Sequence, residues 1–434
     1  MNVCPACFGI RGLQRRIEEI RPDHDVGKCD FHPSRKGVPT EAVAEIVDRV
    51  FRDNYGGGPY DLYSIGPRGD ELVEVVQDLT QAGDWSIVEV LRDALIEGDD
   101  YWPGDGEEAY YDDEYRYHAD IYNAALEEPA RLWRDFRRSL LHGQRFFNTD
   151  ARDLLAEIFE DVHQQRDHRK KGPVYMVSPG EAQSRFFRAR VANDSELREQ
   201  IKANVAGELG PPPERRRRAG RLNPAGVIGF YGAFKLETCV AELRPTVGSV
   251  IAAAEFAITA PICVLDTTLF EAQPKPPDLY AKNAQQRAAQ WQFMQSFMLE
   301  IAQPVSPDDE HLDYLPTQAV AEYLNKHHRF TFAGAERTVD AVIYRSAQHP
   351  EGKNIVLLGE AAVVGAAPGA LPEPDDDEDD WPSVTFATKH RPQVRIIPVD
   401  DSLVKQKVAG ATFPTMPFFD AGDPWPDGDL DDDN

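Results

Sequence analysis

Between Gly220 and Leu243 the chain reads GRLNPAGVIGFYGAFKLETCVAEL, and this stretch limits the fold more than any other because it dictates three backbone states in succession. Gly220, Asn223, Pro224 and Gly226 are residue types that a tight backbone excursion requires, so the segment opens as a turn. On such a turn Arg221 and Asn223 are expected to present their side chains to a ligand. Val227 to Tyr231 is a short apolar run, which predicts a buried strand. Lys235 to Leu243 then spaces Leu236, Val240 and Leu243 as a helix does, with Glu242 beside that stripe. A carboxylate so placed is expected to face an apolar, ligand-lined environment.

The whole chain of 434 residues has room for two or three domains, each with its own core. Its 74 acidic and 47 basic residues leave a net charge of -27, which opposes binding to nucleic acid backbones or to anionic membrane surfaces. No apolar run approaches the roughly 20 residues that span a bilayer. The start, MNVCPACFGI, lacks a basic region followed by a signal-length apolar stretch, so a cytoplasmic protein is expected.

Three of the five cysteines fall before residue 30. Cys4-Pro-Ala-Cys7 and Cys29-Asp-Phe-His32 form a C-x2-C and a C-x2-H pair, two knuckles of the kind that share one tetrahedral zinc in a closed structural site. Residues 1–37 are therefore read as a zinc-knuckle-like segment with Cys4, Cys7, Cys29 and His32 as ligands.

From Pro39 to about Asp167 the signals are helical, and 38–170 is read as a helical domain. Thr40 is placed to cap a helix with Val43, Ile46, Val47, Val50 and Phe51 on one face. Leu72, Val75, Val76 and Leu79 repeat the pattern, as do Trp85, Val88, Leu91 and Leu95. Residues 98–122 read as an acidic loop. Arg137 and His142 stand in an Arg-x4-His spacing that resembles the short signature of HEPN-type RNases.

Past the hinge-like KKGP at 170–173, Val174 to Val177 predicts a strand, Val250 to Asp266 alternates like buried strands, and Leu279 to Ile301 predicts a core helix carrying Trp291, Met294, Phe297, Met298 and Ile301. A further helix is expected over Tyr314 to Leu324. Arg215 to Arg218, just ahead of the Gly-rich turn, are placed to draw an anion toward Arg221. Residues 366–434 read as an acidic linker and extension, with one or two strands within 384–408.

Three segments in order resemble the RES domain family. Phe187-Arg188-Ala189-Arg190 is similar to its opening strand, GRLNPAG to its Gly-Arg-Trp-Asn-Pro-x-Gly with Leu222 in place of Trp, and Asp340 to Ser346 followed by Gly352 to Leu357 to its closing strands. The resemblance spans 174–365. It implies an α+β chain in which a mixed-sheet, ADP-ribosyltransferase-like domain follows an N-terminal part of HEPN/RES type. It implies a toxin that cleaves NAD as substrate, with a helix-turn-helix antitoxin as partner. Residue by residue, it gives Arg188 the phosphate role, with Arg190 as runner-up, Glu242 the ribose role and Ser346 substrate positioning. Tyr231 supplies the aromatic for the nicotinamide ring, and Arg221 and Asn223 further cofactor contacts.

Such residues suit the chemistry. Breaking the nicotinamide bond builds positive charge on the ribose, which a carboxylate stabilises, while an arginine grips the pyrophosphate through paired hydrogen bonds. The competing readings are a protein ADP-ribosyltransferase and a protein that only binds a nucleotide or a partner.

Overall fold

The computed structural model of the chain describes residues 1–58, 69–99, 109–119, 123–275, 278–281, 284–302, 310–349, 351–366, 368 and 393–410. Within them the architecture is α+β, with a mixed sheet as the largest element. No helix is long and apolar enough to cross a membrane among these residues.

The first core gathers short strands β1 (Asn2–Val3), β2 (Gly27–Lys28) and β3 (Lys36–Pro39), helices α1 (Arg11–Ile20), α2 (Thr40–Asn54), α3 (Leu72–Thr80) and α4 (Trp85–Gly98), and the pair β4 (Tyr55–Gly58) and β5 (Arg116–Ala119). Val43, Val47, Val50 and Phe51 of α2 and the four predicted apolar residues of α3 are buried there. Two expectations change. Thr40 is the first helical residue and not the cap; its hydroxyl donates to the Met1 carbonyl at 3.1 Å. Trp85 is 52% exposed, because Asp84 caps α4 by accepting from the Ser86 amide and so starts the helix two residues ahead of the stripe of Ile87, Val88, Leu91 and Leu95.

Helices α5 (Asn123–His142) and α6 (Thr149–Ile158) bury Trp133, Phe136, Leu140, Leu155 and Ile158 in a second core, which continues onto the sheet through Trp291, Met294 and Phe297 of α10 (Ala284–Ala302). All five predicted core residues of α10 are buried. The two cores thus cross the sequence boundaries drawn at 37 and 170: the cysteines share a core with α2 to α4, and α5 and α6 share one with the sheet. Arg137 forms an ion pair with Glu300 at 3.3 Å, and His142 is exposed at the end of α5. Five residues along a helix are about 140° apart, so the two side chains leave the helix in different directions.

The sheet runs β15-β9-β7-β8-β14-β13-β10-β6, with β16 also on β9. Its strands are β6 (Val174–Val177), β7 (Arg185–Val191), β8 (Gly229–Ala233), β9 (Val250–Ile258), β10 (Ile262–Asp266), β13 (Ala341–Arg345), β14 (Lys353–Leu358), β15 (Ile396–Pro398) and β16 (Val404–Lys407); the hairpin β11 (Phe330–Phe332) and β12 (Ala335–Arg337) stands outside it. Among the described strands, only β10 and β13 pair in parallel. Because both faces are covered, β10 and β14 are near-continuous apolar runs. Phe186, Phe230, Phe256 and Ile343 fill one face, beneath α7 (Ser195–Ala203) and α8 (Val205–Leu209). The other faces α10 and α12 (Leu315–Glu322), which follows the short α11 (Glu310–Asp313).

β8 starts at Gly229, two residues later than the predicted strand. Gly226 sits at φ 83° and the Val227 amide still donates back to Pro224, so the turn outlasts Gly226 and Val227 is left exposed. The acidic stretches 100–108, 369–392 and 411–434 lie outside the described residues.

Candidate active site

Tyr231 folds the Gly-rich turn back onto β8. Its hydroxyl accepts from the Leu222 amide at 2.9 Å and donates to Asn223 Oδ1 at 2.7 Å. Asn223 Nδ2 in turn donates to the Pro224 and Val227 carbonyls at 3.1 Å. A Cβ on Gly220 would stand 2.7 Å from both Tyr231 Oη and Asn223 Oδ1, so no other residue fits there. Asn223 is therefore buried in the turn and not turned toward a ligand. Its type suits a turn as well as a ligand, which is why the sequence misleads here. From behind, α12 holds the turn: Thr317 Oγ1 donates to the Arg221 carbonyl at 2.5 Å and Gln318 to that of Gly220 at 2.8 Å. The Arg221 guanidinium lies over the Tyr314 ring, 5.2 Å from its centre.

A cavity of about 280 Å³ opens beside this turn, lined by Arg188, Tyr231, Cys239, Glu242, Tyr344 and Asn354 among others. It forms where two strands part. β7 pairs with β8 only at Phe187↔Ala233, although it pairs with β9 as far as Val191. Past that point Arg188 Nη1 replaces the missing ladder donor and reaches the Tyr231 carbonyl at 3.1 Å, with its guanidinium 4.8 Å from the Phe230 ring centre. No carboxylate among the described residues pairs with Arg188, and burial pushes its guanidinium down to about 10. It remains charged at neutral pH, so the cavity holds a cation whose counter-ion is left for a ligand. Arg190 differs: it is exposed and bound to Glu208 at 2.9 Å. Burial raises the Cys239 thiol to about 12, and its sulfur contacts the Phe187 carbonyl, so it is a protonated wall residue and not a nucleophile.

Glu242 ends α9 (Leu236–Glu242) at the cavity mouth. The helix buries Thr238 and Cys239, while Leu236, Val240 and Leu243 are only half-buried, so the carboxylate is exposed at a polar rim and not enclosed by an apolar stripe. Two donors fix one of its oxygens: Ser346 Oγ at 2.5 Å and Asn354 Nδ2 at 2.7 Å, both to Oε1. The other, Oε2, forms no protein hydrogen bond that the structure shows. Ser346 follows β13, and its Oγ accepts from the amides of Gln348 and His349 at 3.2 and 3.0 Å, which leaves its proton for Glu242. His349 Nδ1 shares a hydrogen bond with Thr238 Oγ1 at 2.9 Å, tying this loop to α9 one turn before Glu242. A Cβ on Gly352 would meet Thr238 Cγ2 at 2.5 Å, so glycine permits that closure.

Arg188, Tyr231, Glu242 and Ser346 are thus brought together, with Arg221 on the adjoining turn. Asn354 and Tyr344 were missed. Their neighbourhood follows from β-pairing, Tyr344↔Asn354 and Asn354↔Ala233. The available signal was one amide opening the apolar run Ile355 to Leu358.

Outside this cavity, Cys4, Cys7, Cys29 and His32 each offer an atom within 4.8 Å of the others. Cys7 Sγ lies 4.0 Å from Cys4 Sγ, 3.5 Å from Cys29 Sγ and 3.4 Å from His32 Nδ1. Zinc–sulfur bonds of about 2.3 Å put tetrahedral ligands about 3.8 Å apart, so this cluster fits a zinc ion. Burial raises the Cys7 thiol to about 12, a proton that metal binding must release.

The mixed sheet thus parts at a cavity that holds Arg188, without a carboxylate partner among the described residues, beside the oriented carboxylate of Glu242. The family model of the RES domain matches residues 185–379, a span that contains Arg188, Arg221, Tyr231, Glu242, Ser346 and Asn354. No curated protein and no solved structure matches the chain significantly.

Proposed function

We propose that the RES domain of this chain is an ADP-ribosyltransferase-like enzyme that cleaves NAD at the nicotinamide–ribose bond, by phosphorolysis or hydrolysis, and acts as a toxin by depleting NAD. The observation that carries this reading is Glu242 held by Ser346 and Asn354 at the mouth of a cavity that contains Arg188 without a carboxylate partner. In this reading Arg188 holds the pyrophosphate, Arg221 adds a second anion contact, and the Tyr231 ring flanks the nicotinamide. The C–N bond breaks with its electron pair leaving on neutral nicotinamide. The ribosyl cation faces Glu242, and an oxygen of water or phosphate closes the bond to carbon and gives up a proton where it carries one. Electrostatic stabilisation of such a cation by an oriented carboxylate is worth about 100 to 1,000-fold in rate.

The zinc cluster has a structural part in this proposal, and a helix-turn-helix antitoxin is the partner. Purified protein incubated with NAD, with and without phosphate, tests the reading through its products. ADP-ribose 1″-phosphate marks phosphorolysis and ADP-ribose marks hydrolysis. Label transferred to protein would favour the ADP-ribosyltransferase alternative, and intact NAD would remove the enzyme reading.

A further inference from the structure

Asn354 is 3% exposed, and its two amide ends have opposite fates. Nδ2 donates to Glu242 Oε1 at 2.7 Å across a separation of 112 residues. Oδ1 is buried without a hydrogen-bond partner among the described residues. An orphaned buried oxygen forfeits its hydration without a replacement partner, and native interiors keep few of them. A side chain retained for stability alone would be apolar here, since Asn354 opens the run Ile355 to Leu358 and pairs with Tyr344 and Ala233. Swapping the amide ends would set its oxygen against the Glu242 carboxylate, so the orientation is forced.

We infer that Asn354 is a positioning residue for Glu242: with Ser346 it locks Oε1, so that Oε2 is the oxygen presented to the reacting ribose, and the unpaired Oδ1 is the stability given up for that lock. This rests on the proposed NAD cleavage and adds to it the group that aims the carboxylate. Ser346 alone would leave the carboxylate free to rotate about a single hydrogen bond. Loss of reacting geometry on the scale of 1 Å costs about 100-fold.

Two variants test this. Asn354→Leu keeps the volume and removes both polar ends; kcat for NAD is expected to fall about 100-fold, with KM little changed and the melting temperature unchanged or raised. Asn354→Asp places a second carboxyl against Glu242, near Arg188 on β7, Cys239 on α9 and Tyr344 on β13. A proton held by that pair restores a donor to Oε1, and its loss sets two like charges together. Activity of Asn354→Asp should therefore fall as pH rises through the pair's titration, while wild type does not share that fall. Wild-type kcat in Asn354→Leu overturns the inference. If the Leu variant is poorly folded, the Asp profile decides: a wild-type shape overturns it. Wild type without NAD turnover removes the proposed function separately. The lock is then read from the Asn354 side-chain amide protons by NMR, which should exchange slowly and shift in Glu242→Ala; an amide indifferent to that change overturns the inference.

Discussion

Glu242→Gln is the substitution that separates charge from shape. The amide preserves size and can still accept from Ser346 and Asn354, whose donors remain in place. It removes the negative charge, so kcat for NAD is expected to fall about 100 to 1,000-fold with the fold and NAD affinity kept. Arg188→Ala should do the reverse and weaken NAD binding together with turnover, because the phosphate is gripped in ground and transition states alike. Kinetics and calorimetric binding of both proteins check this, and a folded Glu242→Gln protein turning over at the wild-type rate would discard the carboxylate mechanism. Arg188, Glu242 and Ser346, which the fold brings together, could be picked out in the sequence because each sits in a local motif. Asn223 and Asn354 were not, for opposite reasons. Asn223 satisfies a turn and a ligand equally well on paper, whereas Asn354 acquires its role only when α9 and β14 are brought together.

At the scale of elements, periodicity located α2, α3, α4, α9, α10 and α12 but not α1, α6, α7 or α8, and the other departures came where capping or strand pairing set the boundary. Asp84 moved Trp85 out of its stripe, and the turn at Gly226 delayed β8. One element that no periodicity shows is the π-helical turn Tyr323–His327, closed by the His328 amide donating to the Tyr323 carbonyl at 2.8 Å. It carries His328 into the core beside Phe159 and Phe330, with Nε2 unpartnered among the described residues and Nδ1 3.2 Å from the Tyr323 hydroxyl. Burial, with His163 nearby and Asp161 opposing, pushes His328 down to about 4. The folded state thus resists a proton that the unfolded chain takes up near 6.5. Stability from this group is complete above about pH 6.5 and is lost as pH falls toward 4, by about 3 kcal/mol in all. Urea unfolding at pH 7 and pH 5 should show the loss, and His328→Phe should reduce it; an unchanged pH slope in that variant would assign the acid sensitivity elsewhere.

For the whole molecule, the question is how far the cysteine cluster and the cavity depend on each other. Every candidate metal donor of the cluster lies before residue 33 and every cavity residue from 188 onward. The first core meets the sheet half where the Tyr280 hydroxyl donates to the Leu79 carbonyl at 2.7 Å, Arg15 pairs with Asp278 at 2.8 Å, and Gln285 Nε2 of α10 donates to the Asp53 carbonyl. None of these six residues lines the cavity. The cysteine spacing made the clustering of Cys4, Cys7, Cys29 and His32 readable from sequence, but not that the three cysteines would share one core with Val43, Leu79 and Tyr280. Because that core is continuous around the cluster, metal binding is folding energy for the N-terminal half. Protein purified without chelator should contain one zinc per chain. Its removal, or Cys29→Ser, should lower the melting temperature of a first transition and raise amide exchange over α1 to α4. NAD turnover should persist, since neither the Glu242 lock nor Arg188 is touched. Affinity for the metal should weaken as pH falls, because the thiol protons that zinc displaces then compete more strongly. Protein free of metal by elemental analysis would exclude the zinc site. Turnover that vanished in step with the metal would show that the contacts at Tyr280 and Asp278 hold the cavity in shape, and that the two cores work as one unit.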